Sequence, residues 1–310
     1  MLPPAFTLYT SRDALPCSAK RSTVPACELY RVSAFTVQAL EGNPAAVVLD
    51  ADALAATAMQ AIARELKLSE TAFVLRSERA DARVRYFTPI EEMPLAGHPT
   101  LATVHVLRES GRIAREAEQV TLEMPAGIIP VRIAPDAHGV RYTMRQPAPT
   151  FARVYDPERV AGSLHLAADD VLASPAPQTV STGAPMLMVA LRSVRALDAA
   201  TRDPAELFPA DRDYMSVHLF TRTNEPHAFL ARHFSPPGDV PEDPVTGSAC
   251  GAMAAYAYRY GLVDRPAFTV LQGTHVHRPG IVYARVLGTP YAMNGVEIGG
   301  YAVTTGRGTT

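Results

Sequence analysis

Between Glu242 and Leu262 the chain reads EDPVTGSACGAMAAYAYRYGL: two acidic residues, a proline and a Thr-Gly-Ser corner directly ahead of a run of small residues with helical character. The beginning of this stretch has a gapless counterpart 150 residues earlier, EMPLAGHPTLA (Glu92–Ala102) against EDPVTGSACGA (Glu242–Ala252). Glu92 and Glu242, Pro94 and Pro244, Gly97 and Gly247, and Ala102 and Ala252 coincide. Two more pairs stand upstream in the same order: RYFTP (Arg85–Pro89) with RHFSP (Arg232–Pro236), and GNPAAVVL from Gly42 with GAPMLMVAL from Gly183. Three matches in one order predict two structurally equivalent halves. The proline-rich RQPAPTFARVYDP places their boundary near residues 145–155. The expected division is an N-terminal domain over 28–148 and a C-terminal domain over 149–310, with a chain end that can return to the first. Residues 1–27, rich in Pro and Ser without period, read as an N-terminal arm or extension.

Local pattern supplies the content of each half. LYRVSAFT, TAFVLR, RVRYFT, QVTLEM, GIIPVRI, GVRYTMRQ, MLMVAL, VHLFTR and AFLARHFS are short, rich in β-branched or aromatic residues and bounded by Gly, Pro or charge, as strands are. Helical patterns are fewer. DALAATAMQAIAREL has Asp52 as a candidate N-cap, HPTLATVHVLRESG has Gly111 in the stop position, and SACGAMAAYAYRYG has Gly261 there. Ala249, Gly251, Ala252, Ala254, Ala255 and Ala257 suit a helix enclosed closely by strands on all sides. The expected class is therefore α+β: two pseudo-symmetric domains, each a barrel-like sheet around a central helix.

With 310 residues, 47% of them hydrophobic, the chain can fill two cores of ordinary domain size. Its formal charge of −2 and the absence of a Lys/Arg block exclude the footprint of a nucleic-acid binder or a polybasic membrane anchor. No apolar span long enough for a membrane helix and no signal-like opening stand in the sequence. Three cysteines (Cys17, Cys27, Cys250), without Cys-x-x-Cys spacing, point to a reducing, cytoplasmic setting. Walker A, dinucleotide, His-Glu-x-x-His and Gly-x-Ser-x-Gly patterns are missing, so nothing calls for a cofactor. His275 and His277, which on a strand would share one face, have no third ligand at metal spacing, so no metal site is assigned.

At both repeats the chain passes Pro-x-x-Gly and enters a helix, leaving free N–H groups and the positive end of the helix dipole facing outward. If the halves face each other, two such mouths share one cleft suited to a carboxylate or a developing enolate. Ser248 is an N-cap candidate, whereas His98 in the same slot is a less usual cap. Glu70 stands between a helix pattern and the apolar TAFVL, where partial desolvation would raise its pKa toward that of a group that takes and returns a proton. A surface glutamate at a loop end would look the same. Asp243 could equally begin a turn before Pro244.

GNPAAVVL, LSETAFVL, RYFTPIEEMPLAGHPTLA, EDPVTGSA and QGTHVHRPG resemble, in that order, the motifs of PhzF-like isomerases of phenazine biosynthesis, relatives of diaminopimelate epimerase, over roughly residues 29–305. The resemblance implies the diaminopimelate epimerase-like fold, a cofactor-free site between the domains, a small anionic substrate and a homodimer. It implies that Glu70, His98, Asp243 and Ser248 are catalytic and that Asn43, Gly97, Thr246 and Gly247 bind substrate, the two glycines as backbone-donor corners. The chain departs from the family pattern at His277 and Gly280, where Gly and Ser are frequent. Relatives that invert a stereocentre use two thiols, one at each helix mouth, and here Ala96 and Thr246 hold those slots. Alanine exchanges no proton, and Cys250 lies inside the helix pattern, so an epimerase or racemase is the weakest option. A proton shift by Glu70 on a cyclic, carboxylate-bearing substrate is expected, with a non-catalytic small-acid binding protein as the alternative.

Overall fold

Two of the repeated residues explain each other in space before any larger architecture is considered. Arg85 holds Glu92 through two bonds of 2.7 Å, and Arg232 holds Glu242 in the same way at 3.0 and 2.8 Å. Each bidentate pair closes the hairpin-like path from the end of a strand to the start of a helix. Glu242 is therefore the clamp of the opening motif, which leaves its neighbour Asp243 free for another task.

The computed structural model describes residues 25–223 and 227–310, so the expected arm over 1–27 and Cys17 lie almost wholly outside the described residues. All strands join in one continuous, mixed sheet that wraps twice. In the N-terminal lobe the neighbours run Ala302–Thr309, Glu28–Ala34, Asn43–Val48, Glu70–Leu75, Ala82–Phe87, Gln119–Met124, Gly127–Asp136 and Gly139–Gln146. The last of these pairs with Ala292–Gly300, which opens the C-terminal lobe. That lobe continues through Gly280–Thr289, Ala267–Gln272, Phe229–Phe234, Ser216–Arg222, Pro185–Ala190, Gln178–Ser181 and Thr150–Val154. Strands Asn43–Val48 and Glu70–Leu75 are parallel, as are Pro185–Ala190 and Ser216–Arg222.

Each lobe encloses one helix, Gly97–Glu109 or Gly247–Arg259. Both are buried on nearly every side, which is why neither carries a polar stripe. The second helix achieves this with small residues: a Cβ added at Gly251 would lie 1.8 Å from Gln146 Oε1. One apolar cluster contains Leu101, Ala102 and Val104 of the first helix together with Ala252, Met253 and Ala255 of the second. The lobes therefore share a core. Each buried Leu or Val in it contributes about 1.5–3 kcal/mol relative to exposure.

Three local expectations need correction. The outer helix Ala56–Leu66 begins after a short 3-10 turn, and Asp52 is not its cap; the Asp52 Oδ1 accepts the Arg76 N–H at 3.0 Å instead. Ser248 is not an N-cap either, because Thr246 holds the cap position and Ser248 is the second helical residue. His275 lies in a 3-10 turn over Thr274–Val276 and His277 follows with φ 56, so the two do not sit on a strand. No strand beyond Phe234 is assigned from the sequence, yet four follow it.

Candidate active site

Register carries the repeat further than the motifs do. Ala45 pairs with Glu70 across parallel strands, and Met186 pairs with Ser216 in the same way. Ala72 faces Tyr86 and His218 faces His233 in the antiparallel pairs that follow. Since Gly42 matches Gly183, and Tyr86 matches His233 in the repeated RYFTP and RHFSP, the counterpart of Glu70 in the second lobe is Ser216. Ser216 is buried, with its hydroxyl against Met186 Sδ. The counterparts of His98, Asp243 and Thr246 are Ser248, Met93 and Ala96. The scaffold is doubled, but its reactive side chains are not.

Glu70 opens its strand after Lys67, whose left-handed φ of 53 ends the preceding helix and turns the chain inward. Its side chain stays 22% exposed, but Oε2 is buried, has no hydrogen-bond partner among the described residues and lies 3.3 Å from His98 Nε2. Burial pushes the carboxyl up to about 7, helped by the charge of Asp239 and opposed by a hydrogen bond from Ser69. Both protonation states are therefore populated near neutrality.

His98 is buried as the second residue of its helix, between Gly97 and Pro99. The proline costs the helix no bond, since N–H groups of the first turn have no intrahelical acceptor. Burial holds the imidazole down to about 4, although the charge of Asp243 works against that shift. The ring is thus neutral at pH 7. Its Nδ1 faces Asn43 Nδ2 at 3.2 Å. Its Nε2 lies on the side of Glu70 and of Ser69 Oγ, at 3.3 and 3.4 Å, and the ring also bonds the Pro44 backbone.

Asn43, wholly buried, ties the lobes together. Its Nδ2 donates to Asp243 Oδ1 at 2.9 Å and to the Val245 carbonyl at 2.8 Å. Turning the amide over would set its oxygen against two acceptors, so this orientation follows from the bonds. Asp243 also accepts from Thr246 Oγ1 at 2.5 Å, and its own N–H is bound by the His233 carbonyl at 3.0 Å. Burial pushes the Asp243 carboxyl up to about 6, while the bonds from Thr246 and Asn43 act in the opposite direction.

The two helix starts meet beside this network. A Cβ placed on Gly97 would lie 3.6 Å from Ser248 N and 3.9 Å from Gly247 Cα. Glu70, His98, Asn43, Asp243 and Thr246 thus form one connected chain of contacts, with Gly97, Gly247 and Ser248 at the adjoining helix mouths. Sequence reasoning did not single out Ser69, Gln272 or the Val245 carbonyl. All three stand in quoted motifs, LSETAFVL, QGTHVHRPG and EDPVTGSA, which was the available signal; what each does is recognisable only by contact.

Other candidates separate from the site. Cys250 is buried in the helix, its thiol 3.6 Å from Gln272 Oε1, and burial drives its pKa well up, which suits packing rather than nucleophilic attack. His275 Nε2 contacts Asp198 Oδ1 at 2.8 Å. Among the described residues, the group with donor atoms near enough to share a metal is His165, Asp203 and Glu206, and it includes no residue of this site. No helix among them is long and apolar enough to cross a membrane.

Chemically, the assembly offers a carboxylate poised to gain or lose a proton, a neutral imidazole beside it and two sets of backbone donors nearby. Comparison with known proteins agrees in fold and sequence. The family described as phenazine biosynthesis-like protein, PhzC-PhzF, matches residues 32–308. A trans-2,3-dihydro-3-hydroxyanthranilate isomerase of Pseudomonas chlororaphis is 35% identical over 281 residues, covering 90% of this chain and 97% of that protein. A crystal structure of the Bacillus anthracis phenazine biosynthesis protein, PhzF family, superposes with a TM-score of 0.84 at 34% identity, covering 92% of this chain and 99% of that one. A hydroxyproline epimerase from Agrobacterium vitis has a TM-score of 0.60 at 15% identity, with 92% of each chain covered, and shares the fold.

Proposed function

The chain belongs to the phenazine biosynthesis-like PhzC-PhzF family, and on that premise we propose that it is a cofactor-independent isomerase in which Glu70 moves a proton between two carbons of one substrate. The observation that carries this reading is the buried, hydrogen-bond-free Oε2 of Glu70 beside His98 at the seam of the two lobes.

A substrate carboxylate lies against the N–H groups of Gly97 and His98, or of Gly247 and Ser248, where the dipole ends favour negative charge. Ionised Glu70 takes a proton from a carbon conjugated with that carboxylate: the C–H bond breaks, the Glu70 O–H bond forms, and the electron pair spreads into the conjugated system. The same amides stabilise the resulting dienolate. Protonated Glu70 then returns the proton to another carbon of the system, so a double bond moves and nothing is gained or lost. The neutral imidazole of His98, 3.3 Å away, steadies the carboxyl between the two steps, and Asn43, held by Asp243 and the Val245 carbonyl, packs against its other ring nitrogen. Ser216 at the counterpart position supports one-base chemistry, because a hydroxyl cannot replace a second carboxylate in an exchange across the substrate.

The substrate class proposed is a cyclic dihydro-hydroxy acid bearing a conjugated carboxylate, with trans-2,3-dihydro-3-hydroxyanthranilate, named for relatives such as the Pseudomonas chlororaphis isomerase, as the first compound to test. Incubation with the purified protein should shift its double bond, and in deuterated water deuterium should enter at the newly saturated carbon to the extent that the Glu70 proton exchanges with solvent between the two steps. Glu70→Gln should abolish both. A variant that keeps the parent rate would sink the proposal, since the amide cannot act as base.

A further inference from the structure

The turn that bears Asp243 is gripped by a side chain from another strand. Gln272 ends the strand Ala267–Gln272 and is wholly buried. Its Nε2 donates to the Asp243 carbonyl at 3.0 Å and to Thr246 Oγ1 at 3.2 Å. Its Oε1 accepts from the Thr246 N–H at 3.2 Å and from the Cys250 thiol at 3.6 Å. A carboxamide has two hydrogens to give and two lone pairs to offer, so every one is used and the amide has a single workable orientation. The consequence falls on the Thr246 hydroxyl. With one lone pair engaged by Gln272, its only hydrogen is directed at Asp243 Oδ2.

The other lobe supplies an internal control. Ala82 pairs with Leu122, and its counterpart Phe229 pairs with Val270, so two residues further on Met124 is the counterpart of Gln272. The three residues Asp243, Thr246 and Gln272 therefore correspond to Met93, Ala96 and Met124. Where the aspartate is missing, so are the hydroxyl and the amide, although the backbone makes the same approach to a helix.

We propose that Gln272 is a positioning residue of the active site: by occupying the acceptor side of the Thr246 hydroxyl it aims that hydroxyl at Asp243 and pins the Asp243–Thr246 turn to the helix start. Asp243 is thereby held as a double acceptor, from Thr246 on one oxygen and from Asn43 on the other, and through Asn43 the arrangement reaches His98. The inference rests on the reading of Asp243 as part of the site. The ionisable groups around that carboxyl are His98 from the first-lobe helix, Glu70 from its strand and Cys250 from the second-lobe helix. None of their side chains is bonded to Thr246; the Cys250 N–H reaches the Thr246 carbonyl at 2.9 Å as an ordinary helix bond.

The test uses the full chain labelled with 13C at the aspartate carboxyl carbon, the Asp243 signal being identified by its loss in Asp243→Asn. Gln272→Met, which installs the residue of the other lobe, should raise the Asp243 titration midpoint by about one pH unit, the value of one fixed hydrogen bond to a charged acceptor. Thr246→Val should raise it similarly, the double variant no further, and Thr246→Ser should keep the parent midpoint. Gln272→Leu, likewise neutral and unable to bond the Thr246 hydroxyl, serves as the second variant should the methionine fail to fold. An unchanged midpoint in the folded Gln272 variant, or shifts that simply add in the double variant, would overturn the proposal. Turnover is not the readout, so the outcome stands apart from the fate of the isomerase reading.

Discussion

Glu70 opposes the fold whenever it is charged, and that opposition can be measured. Its folded pKa of about 7 lies above the ordinary 4.5, so the native state binds the proton more tightly than the unfolded chain does. Its contribution to stability is complete below pH 4.5 and is lost as pH rises through about 7. Glu70→Gln, neutral throughout, should match the parent at pH 4 and exceed it at pH 8, by on the order of 2 kcal/mol after allowance for the exposed part of the side chain; urea titrations at the two pH values check this. The same variant should lose about three orders of magnitude in turnover, the scale of a general base. For the parent, kcat/KM should rise with pH through about 7, because only ionised Glu70 can take a proton. Stability and activity thus respond to the charge on this residue in opposite senses, which a purely structural glutamate would not reproduce. At this scale Glu70, His98 and Asp243 were legible because they stand in ordered motifs. Gln272 opens another of those motifs, QGTHVHRPG, but its role was not legible there, since it lies in four contacts, three of them to a turn more than twenty residues away in sequence. Ser248 was misplaced by one turn position because a serine before a helix and a serine inside its first turn have the same neighbours in sequence.

Among the elements, the helix Gly247–Arg259 is the most tightly constrained. Alanine normally favours a helix over glycine by up to about 1 kcal/mol. At Gly251 the added methyl would run into Gln146 Oε1, and Gln146 itself holds the Thr182 hydroxyl and the Gly247 carbonyl. Overpacking should win: Gly251→Ala is expected to lower stability by about 1–3 kcal/mol, read from the urea midpoint, and to depress turnover by displacing the Gly247 corner. The enclosed character of both central helices was readable from their small and apolar residues. The four strands after Phe234 were not assigned, and composition says why for all but the first. In the last three of them glycines at 280, 288, 295, 299, 300, 306 and 308 dilute any β propensity, whereas Ala267–Gln272 (AFTVLQ) has none and carried a strand signal that was passed over. The last of them is held by a neighbour distant in sequence, Ala302–Thr309 pairing with Glu28–Ala34. Asp52 was misassigned for a related reason: a short 3-10 turn intervenes before the helix, and periodicity does not register so brief a segment.

For the molecule as a whole, the repeat disclosed a doubled scaffold around two helices, whereas the joining of both lobes into one sheet through Gly139–Gln146 and Ala292–Gly300 depends on register and could not be read. The apolar cluster that runs through both helices makes the lobes thermodynamically dependent. Calorimetry should therefore record one unfolding transition, and ending the chain at residue 301 should destabilise the N-terminal lobe by leaving Glu28–Ala34 without one of its two partners. The meeting of Gly97 with the Gly247–Ser248 corner has a further electrostatic result. Two thirteen-residue helices bring ends of like sign together, about half a unit of positive charge each, inside a poorly polarisable interior. A small anion within reach of both sets of N–H groups would relieve their mutual repulsion, so a carboxylate substrate of the proposed class would act as mortar for the protein as well as cargo. Melting temperature should climb with a matched carboxylate at constant ionic strength and stay level with chloride, making thermal shift a first screen for what this crevice accepts.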